Sequence, residues 1–492
     1  MTHAPQPVTR ALVLAAGLGS RLRSDTPKPL LPVLGVPLLA RTLFTLREAG
    51  VTDAWVVVGY EAERVVQGMA RWMRPGLRVH WVHNPEWERP NGISVLAGEA
   101  HLDEPFFLTM TDHLFQADVP RSLAAQGPGG GLNLAVDYDV DGVLDLDDAT
   151  KVRVRDGRIE AIGKQLETFD AIDTGVFLAS PELFAALREA VAEGEESLSA
   201  GVQRLAARGQ ARVTDVTGCM WQDVDTPTDF AAARRKLLAS VRKASDGPVS
   251  RYINRPISIA LSRLLVHTPV TPNQISIAAL VISLVSAWFA TRGDYAGFLI
   301  AGLLFQIASI VDGTDGEVAK LTFQSSRRGE WIDTVCDNVS YLAFLLAVIV
   351  GVSRAGLPDF YLQTGLLGAV AAAGSIANLM AYVAREKRSG SFLSVRYGYE
   401  DGTGWFARVM RVLHFMGKRD FFAFFAFVLA LFGQLPLALP LFGVGATLLL
   451  FPATLKANVS SWMRHRRARA AAAPPAEPDL AANEAGLSST EA

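Results

Sequence analysis

Residues 312–337 read DGTDGEVAKLTFQSSRRGEWIDTVCD. Asp312 and Asp315 are three apart, so on a helix they share one face. Gly329, Asp333 and Asp337 are spaced four and four and share a face as well. Gly316 and Ala319 are small and would let a second helix come close beside the first pair. Apolar runs flank both halves, LIAGLLFQIASIV before and VSYLAFLLAVIVGV after. Four carboxylates therefore lie near the ends of two apolar helices. Unpaired, they would repel one another in a poorly hydrated place. Divalent cations relieve that repulsion, and clustered oxygen ligands suit Mg²⁺ or Mn²⁺. Two such ions can bind a pyrophosphate and stabilise phosphoryl transfer. Helix capping at a membrane surface explains one or two of these residues, but not four on both sides of a polar loop.

The whole chain agrees with a membrane context for this stretch. Its 492 residues suffice for two or three domains. Hydrophobic residues make up 50% and charged residues 20%, with a mean hydropathy of +0.23. That is too apolar for an ordinary soluble enzyme and too charged for a pure membrane protein. A soluble domain fused to a membrane domain fits. The net charge of −2 points to no particular partner, and no nucleic acid is expected. Cys219 and Cys336 are far apart and form no disulfide framework, in agreement with a reducing compartment. MTHAPQPVTR has no apolar signal core, so the start of the chain is expected in the cytoplasm.

Residues 1–242 alternate short apolar runs with helical patterns: ALVLAAG, LLARTLFTLREAG, AWVVVGY, EAERVVQGMARWM, RVHWVHN. This is the rhythm of a parallel sheet covered by helices. Later segments, LNLAVDYD, KVRVRDG, RIEAIG and IDTGVFLAS, are shorter and more antiparallel in character, so a Rossmann-like mixed sheet is expected. The first strand runs into Ala15, Ala16, Gly17 and Gly19, a glycine-rich turn whose backbone N–H groups can approach phosphate oxygens. Arg21 and Lys28 add positive charge there. Asp112 ends a strand, where a side chain faces the ligand crevice of an open sheet. Asp223 and Asp225, in WQDVDTPTDF, would complete a Mg²⁺ site if the fold brings them near Asp112. Asp225 or Thr226 before Pro227 also makes a good helix start, and both roles are compatible.

Residues 243–250 read as a linker, and 251–268 as an amphipathic helix lying in the membrane interface. Ile253, Ile257, Ala260, Leu261, Leu264 and Leu265 form its apolar stripe, with Arg251, Arg255 and Arg263 mostly elsewhere. A membrane domain then spans 269–465, with six spans near 273–291, 296–312, 331–351, 362–383, 420–434 and 438–459. Lys320, Arg327 and Arg328 lie in one loop. Arg385, Lys387, Arg388, Arg408, Arg411, Lys418 and Arg419 lie in another, and Arg464, Arg466, Arg467 and Arg469 follow the last span. The alternate loops are nearly uncharged, which puts both termini and the carboxylate cluster on the cytoplasmic side. Arg385 and Lys456 end two of the spans and either snorkel or bind an anionic acceptor. The tail, 466–492, is of low complexity and expected to be disordered.

Two motifs carry family resemblances. Asp312, Asp315, Gly316, Ala319, Lys320, Gly329, Asp333 and Asp337 resemble the signature D-x2-D-G-x2-A-R-x8-G-x3-D-x3-D of the CDP-alcohol phosphotransferases, with every spacing kept. Lys320 stands where the family has Arg, so the charge survives and the bidentate fork is lost. Thr271-Pro272-Asn273 at the first span is also typical of that family. The resemblance implies that these residues hold a CDP group, that the Asp residues hold two metal ions around its pyrophosphate, and that Asp337 is the base. The run from Leu14 through Pro27-Lys28-Pro29-Leu30 resembles the sugar-phosphate nucleotidyltransferases. NPEWERPNGISVL, TDH at 111–113, ATKVRVRDGRIEAIGKQL, DAIDTGVF and WQDVDTPTDF together narrow this to inositol-1-phosphate cytidylyltransferase, with Thr111 in place of the usual glycine. By that resemblance Asn91 and Gly92 lie near the cytosine or ribose, and Lys164 and Asp173 face an inositol phosphate. Lys164 can equally be read as a solvated strand-end lysine.

The whole chain resembles the fused cytidylyltransferase and di-myo-inositol-phosphate-phosphate synthase family. The implied fold is an α/β nucleotidyltransferase domain joined to an all-α six-span membrane domain. The implied chemistry is CTP plus inositol phosphate to CDP-inositol, followed by transfer to a second inositol phosphate with loss of CMP. A lipid alcohol is the rival acceptor in the second step, and a membrane anchor with decayed sites is a third reading. A homodimer through the membrane domain, an inner-membrane location, contact with membrane lipid, and Mg²⁺ or Mn²⁺ in both domains are expected.

Overall fold

A computed structural model describes residues 7–22, 24–143, 145–243, 246–386, 404 and 419–471. Lys387, Arg388, Arg408, Arg411 and Lys418 of the expected basic loop, and the tail beyond 471, lie outside the described residues. The chain divides into two compact units. The first comprises Met1–Lys243, Arg263–Thr268 and Lys320–Phe323, and the second Ala244–Ser262, Pro269–Ala319 and Gln324–Ala492.

The first unit has thirteen described strands: β1 (Arg10–Ala15), β2 (Pro32–Val33), β3 (Val36–Pro37), β4 (Asp53–Val58), β5 (Arg78–His83), β6 (Phe106–Met110), β7 (His113–Phe115), β8 (Leu132–Asp137), β9 (Lys151–Arg155), β10 (Arg158–Gly163), β11 (Ala171–Ala179), β12 (Ala211–Asp215) and β13 (Trp221–Asp223). Nine of them form one mixed sheet in the order β5-β4-β1-β6-β11-β8-β12-β10-β9. Its first four strands are parallel and β11 enters antiparallel to both neighbours. The expected change of character between early and late segments is therefore present. Seven helices accompany the sheet: α1 (Leu38–Glu48), α2 (Ala62–Met69), α3 (Asn91–Leu96), α4 (Asp118–Gln126), α5 (Glu182–Ala192), α6 (Leu198–Ala207) and α7 (Pro227–Ser240).

Two features of this topology position a site. Parallel neighbours β1 and β6 end at the same edge of the sheet, so the turn after Ala15 and the residues after Met110 emerge side by side. The short strand β13 pairs antiparallel with β7 and sets Asp223 opposite His113. Just after β13, Thr226 caps α7. Its hydroxyl receives the Asp229 amide, while Asp229 receives the Thr226 amide at 2.8 Å. Pro227 supplies the first helical residue, so this start is rigid.

The second unit is helical among the described residues: α8 (Arg255–Leu265), α9 (Pro272–Ala290), α10 (Tyr295–Leu321), α11 (Arg327–Arg354), α12 (Asp359–Glu386), α13 (Arg419–Leu431), α14 (Ala438–Gly445) and α15 (Phe451–Ala471). Thr271 and Gln274 form a capping box at the start of α9, which explains the Thr-Pro-Asn signal. Phe305, Phe344 and Phe422 make an aromatic centre; the first two stack at 4.1 Å between ring centroids. Gly368 of α12 meets Gly443 of α14 backbone to backbone: a methyl on Gly368 would lie 2.4 Å from the Gly443 Cα. Val370 and Leu448 are largely exposed, as apolar side chains facing lipid would be.

Five helical stretches among the described residues are long and apolar enough to cross a membrane: Pro272–Ala290, Tyr295–Leu321, Arg327–Arg354, Asp359–Arg385 and Leu435–Arg467. The span expected at 420–434 coincides with α13, whose described residues Arg419–Leu431 directly follow residues outside the description. The amphipathic helix near 251–268 is present as α8, preceded by one wide turn, Ser250–Asn254.

Candidate functional sites

In the first unit the glycine turn closes on the lysine that follows it. Gly19 has φ +64°, and a Cβ there would lie 2.7 Å from the Lys28 Cβ. Only glycine satisfies both constraints. Lys28 is buried, and its ammonium donates to Asp112 at 2.8 Å and to Asp225. Asp112 comes from the end of β6 and Asp225 from the α7 cap, and the Lys28 ammonium bridges them. Arg21 donates to Asp148 at 2.5 Å and to Asp225 at 3.1 Å. Lys164 donates to the other oxygen of Asp148 at 2.6 Å.

A cavity of about 700 Å³ is lined by Asp112, His113, Lys164, Asp173, Asp223 and Asp225 among others. A second, of about 310 Å³, is lined by Ala16, Gly17, Gly19, Arg21 and Lys28. Asn91 lines both. Ala15 lies in the core at the end of β1. Gly92 is buried beside α6, where a Cβ would meet the Glu196 carbonyl at 2.4 Å, so its small size serves packing.

His113 was not singled out from sequence, because its role appears only through strand pairing. One side-chain atom from each of Asp112, His113 and Asp223 lies within 4.8 Å of the others. His113 Nδ1 is 2.8 Å from Asp112. Gly175, at φ +74°, leaves the space that the ring occupies: a Cβ there would lie 2.1 Å from it. Burial pushes the His113 imidazolium pKa down, but Asp223, Asp112 and Asp173 outweigh it and hold the pKa at about 9. Burial pushes Asp173 up to about 6, against the Gly175 amide that donates to it at 2.7 Å. Asp223 rises for the same reason, aided by Asp112 and Asp225 and opposed by His113. The site thus mixes held anions with carboxyl groups near their titration point.

In the second unit, Asp312 and Asp315 of α10 and Asp333 of α11 each place an oxygen within 4.8 Å of the others. Ser276 of α9 donates to Asp315, a partner that sequence spacing did not reveal. Asp337 lies one turn beyond Asp333, and the Arg419 guanidinium at the start of α13 reaches both it and Asp312, the latter at 2.6 Å. A Cβ on Gly316 would meet no atom of the described residues within 4 Å. Gly329 faces the side chains of Ser326 and Asn273. Ala319 and Lys320 fall in the last turn of α10. Arg385 donates to the Asn458 side chain at 2.8 Å and joins α12 to α15, while Lys456 is exposed on α15. Neither is hydrogen-bonded to the four carboxylates.

Residues 11–256 match the MobA-like NTP transferase domain, and residues 269–451 match CDP-alcohol phosphatidyltransferase. A bifunctional IPC transferase and DIPP synthase of Rubrobacter xylanophilus is 39% identical over 335 residues, 67% of this chain and 74% of its own. The protein of the same description from Thermococcus kodakarensis is 35% identical over 363 residues, 73% of this chain and 80% of its own. The one from Aquifex aeolicus is 30% identical over 430 residues, 87% of this chain and 92% of its own. The chain belongs to the bifunctional IPC transferase and DIPP synthase family. It is a transferase with a nucleotidyltransferase domain in series with a CDP-alcohol phosphotransferase domain. Within this IPC transferase and DIPP synthase framework, Arg419, His113 and Asp148 are the site residues that the motifs did not announce. Each meets its partners through contacts that strand pairing or helix packing creates.

Proposed function

We propose that the chain makes CDP-inositol and pyrophosphate from CTP and inositol phosphate, then transfers phosphoinositol to a second inositol phosphate with release of CMP. The observation that carries this reading is the meeting of Asp312, Asp315 and Asp333 at helix ends, in a chain whose other unit gathers Lys28, Asp112 and Asp225. Family membership over most of the chain supports it over a lipid acceptor.

In the first step Arg21 and Lys28 hold the triphosphate, the glycine turn Ala16–Gly19 receives its oxygens, and Asn91 lies toward the nucleoside. Lys164 orients the inositol phosphate, whose oxygen attacks the α-phosphorus while pyrophosphate leaves. Asp112, Asp223 and Asp225 would hold at least one Mg²⁺ or Mn²⁺. The donor set fits, since Asp223 Oδ1 is a buried oxygen that receives no hydrogen bond.

In the second step Asp312, Asp315, Asp333 and Asp337 would hold two such ions. Asp312 Oδ1 is likewise buried without a hydrogen bond of good geometry, although Arg419 lies close. When bound, the ions offset the charge of the pyrophosphate as its bridging bond breaks. Asp337 accepts the proton of the acceptor hydroxyl, which attacks the phosphorus bearing inositol. Arg419 neutralises Asp312 and Asp337 and must give up Asp337 for that proton to move. Five or more spans, both termini and both active sites in the cytoplasm, and a homodimer through the membrane domain complete the proposal; the distribution of Lys and Arg supports the orientation.

The test is to supply purified full-length protein with CTP and labelled inositol phosphate and follow pyrophosphate, CDP-inositol and CMP. A water-soluble labelled product is expected. Label that partitions into the organic phase would replace the acceptor by a lipid.

A further inference from the structure

Helix α8 turns a polar side inward. Its apolar residues Ile257 and Leu264 are exposed, whereas Asn254 in the turn before it and Arg255, Ser258 and Ser262 on it are buried. Those positions form one helical stripe. Every polar side chain of that stripe is directed at α10. Gln306 donates to Asn254 at 2.8 Å, and Asn254 donates to Ser309 at 3.4 Å. Further along, the carboxylate of Glu317 is only 2% exposed. One of its oxygens receives Arg255 and Ser258, each at 2.6 Å, and the other receives Ser262 at 2.6 Å. The Arg255 fork turns back onto Asp246 of the linker, at 2.9 and 3.0 Å.

Glu317 lies two residues beyond Asp315. At about 100° per residue it points to nearly the opposite side of α10. One helix therefore carries the metal-site carboxylates on one face and a fully bonded anion on the other.

An apolar seam between α8 and α10 would give attraction without direction and would let α10 rotate or slide. Three directional hydrogen bonds to one carboxylate fix both its angle and its depth. Buried ion pairs contribute little net stability against apolar packing of the same volume, and their attested use is to fix register. A misplacement of 1 Å at a phosphoryl-transfer site costs about 100-fold in rate.

We propose that Asp246, Arg255 and Glu317 are positioning residues of the membrane-domain site. They lock the azimuth of α10, so that Asp312 and Asp315 converge with Asp333. The inference rests on the metal-binding reading of those carboxylates given above. It also makes the linker segment around Asp246 a determinant of the second reaction.

The experiment uses full-length protein in detergent and Mn²⁺ as the probe, read by electron paramagnetic resonance, in an Asp225→Asn background that weakens the first unit's site. Asp315→Asn should abolish Mn²⁺ binding at the membrane site. Glu317→Gln keeps the shape and loses the charge. It should weaken Mn²⁺ binding about tenfold, the order expected when a hydrogen-bonded charge is removed from a buried network. Ser262→Ala, a milder change that leaves the ion pair, should shift it in the same direction by less. The exchange Arg255→Glu with Glu317→Arg should recover part of the affinity lost in either single variant. In the unaltered background, pyrophosphate release from CTP should be unchanged by Glu317→Gln. Wild-type Mn²⁺ affinity in both Glu317→Gln and Ser262→Ala, with binding lost in Asp315→Asn, overturns the positioning role and leaves the metal site standing. Wild-type affinity in Asp315→Asn overturns the metal reading itself, and the inference with it.

Discussion

Lys164 and Arg21 hold opposite oxygens of a single carboxylate, Asp148, at 2.6 and 2.5 Å. The proposed roles give these cations to the inositol phosphate and to the triphosphate. An anion of the protein thus occupies ground between them. Asp148→Ala should free both cations and lower the KM for inositol phosphate severalfold. An increased KM would show instead that Asp148 orients Lys164.

Lys28 is held in a different manner. It is buried and paired with Asp112 and Asp225, so its charge is fixed before substrate arrives. Lys28→Ala should slow pyrophosphate release about 100-fold or more, the range for removing one preorganised electrostatic donor. Undiminished release in that variant would remove Lys28 from the mechanism.

Asp173 gives a pH test with a definite sign. Its folded-state pKa of about 6 stands above the ordinary carboxyl value, which is about 3.9. The folded state therefore binds that proton more tightly, and stability falls as pH rises between those two values. Asp173→Asn abolishes this dependence. Its melting temperature should equal wild type below about pH 4, rise above it through the window, and keep the full excess beyond about pH 6. A constant difference across that range would show that Asp173 titrates normally. The same variant should bind inositol phosphate less well.

Asp333→Asn and Asp337→Asn should separate two contributions to the second reaction. Asp333 lies in the carboxylate group with Asp312 and Asp315, and its loss should abolish both CMP release and Mn²⁺ binding at that group, read in an Asp225→Asn background. Asp337 faces Arg419 instead. Its loss should slow transfer by about 100- to 10,000-fold as a missing base, with much of the Mn²⁺ binding retained. CDP-inositol should accumulate in both. Normal CMP release from Asp333→Asn would refute the metal site.

Much of this arrangement was legible in the chain. The spacing of Asp312 with Asp315, and of Asp333 with Asp337, dictates a shared face on each helix, and helical periodicity is local. Lys28 and Asp112 were legible because a glycine turn and a strand end both point to one edge of a parallel sheet. His113 was not, since only the pairing of β13 with β7 brings Asp223 to it. Arg419 lies 82 residues from Asp337 in sequence, and no periodicity links them. Arg255 was visibly off the apolar stripe of its helix. Sequence alone does not say that this polar side is the buried one.

The meeting of Gly368 with Gly443 bears on how the helical unit can move. Where two backbones touch, no side chain can yield, so α12 and α14 cannot slide past each other without separating. Bulk added at this crossing has to push the two helices apart. Gly368→Val, which does so, should therefore slow CMP release while leaving CDP-inositol formation untouched. Equal rates of CMP release in the variant and wild type would show that the crossing is a passive contact.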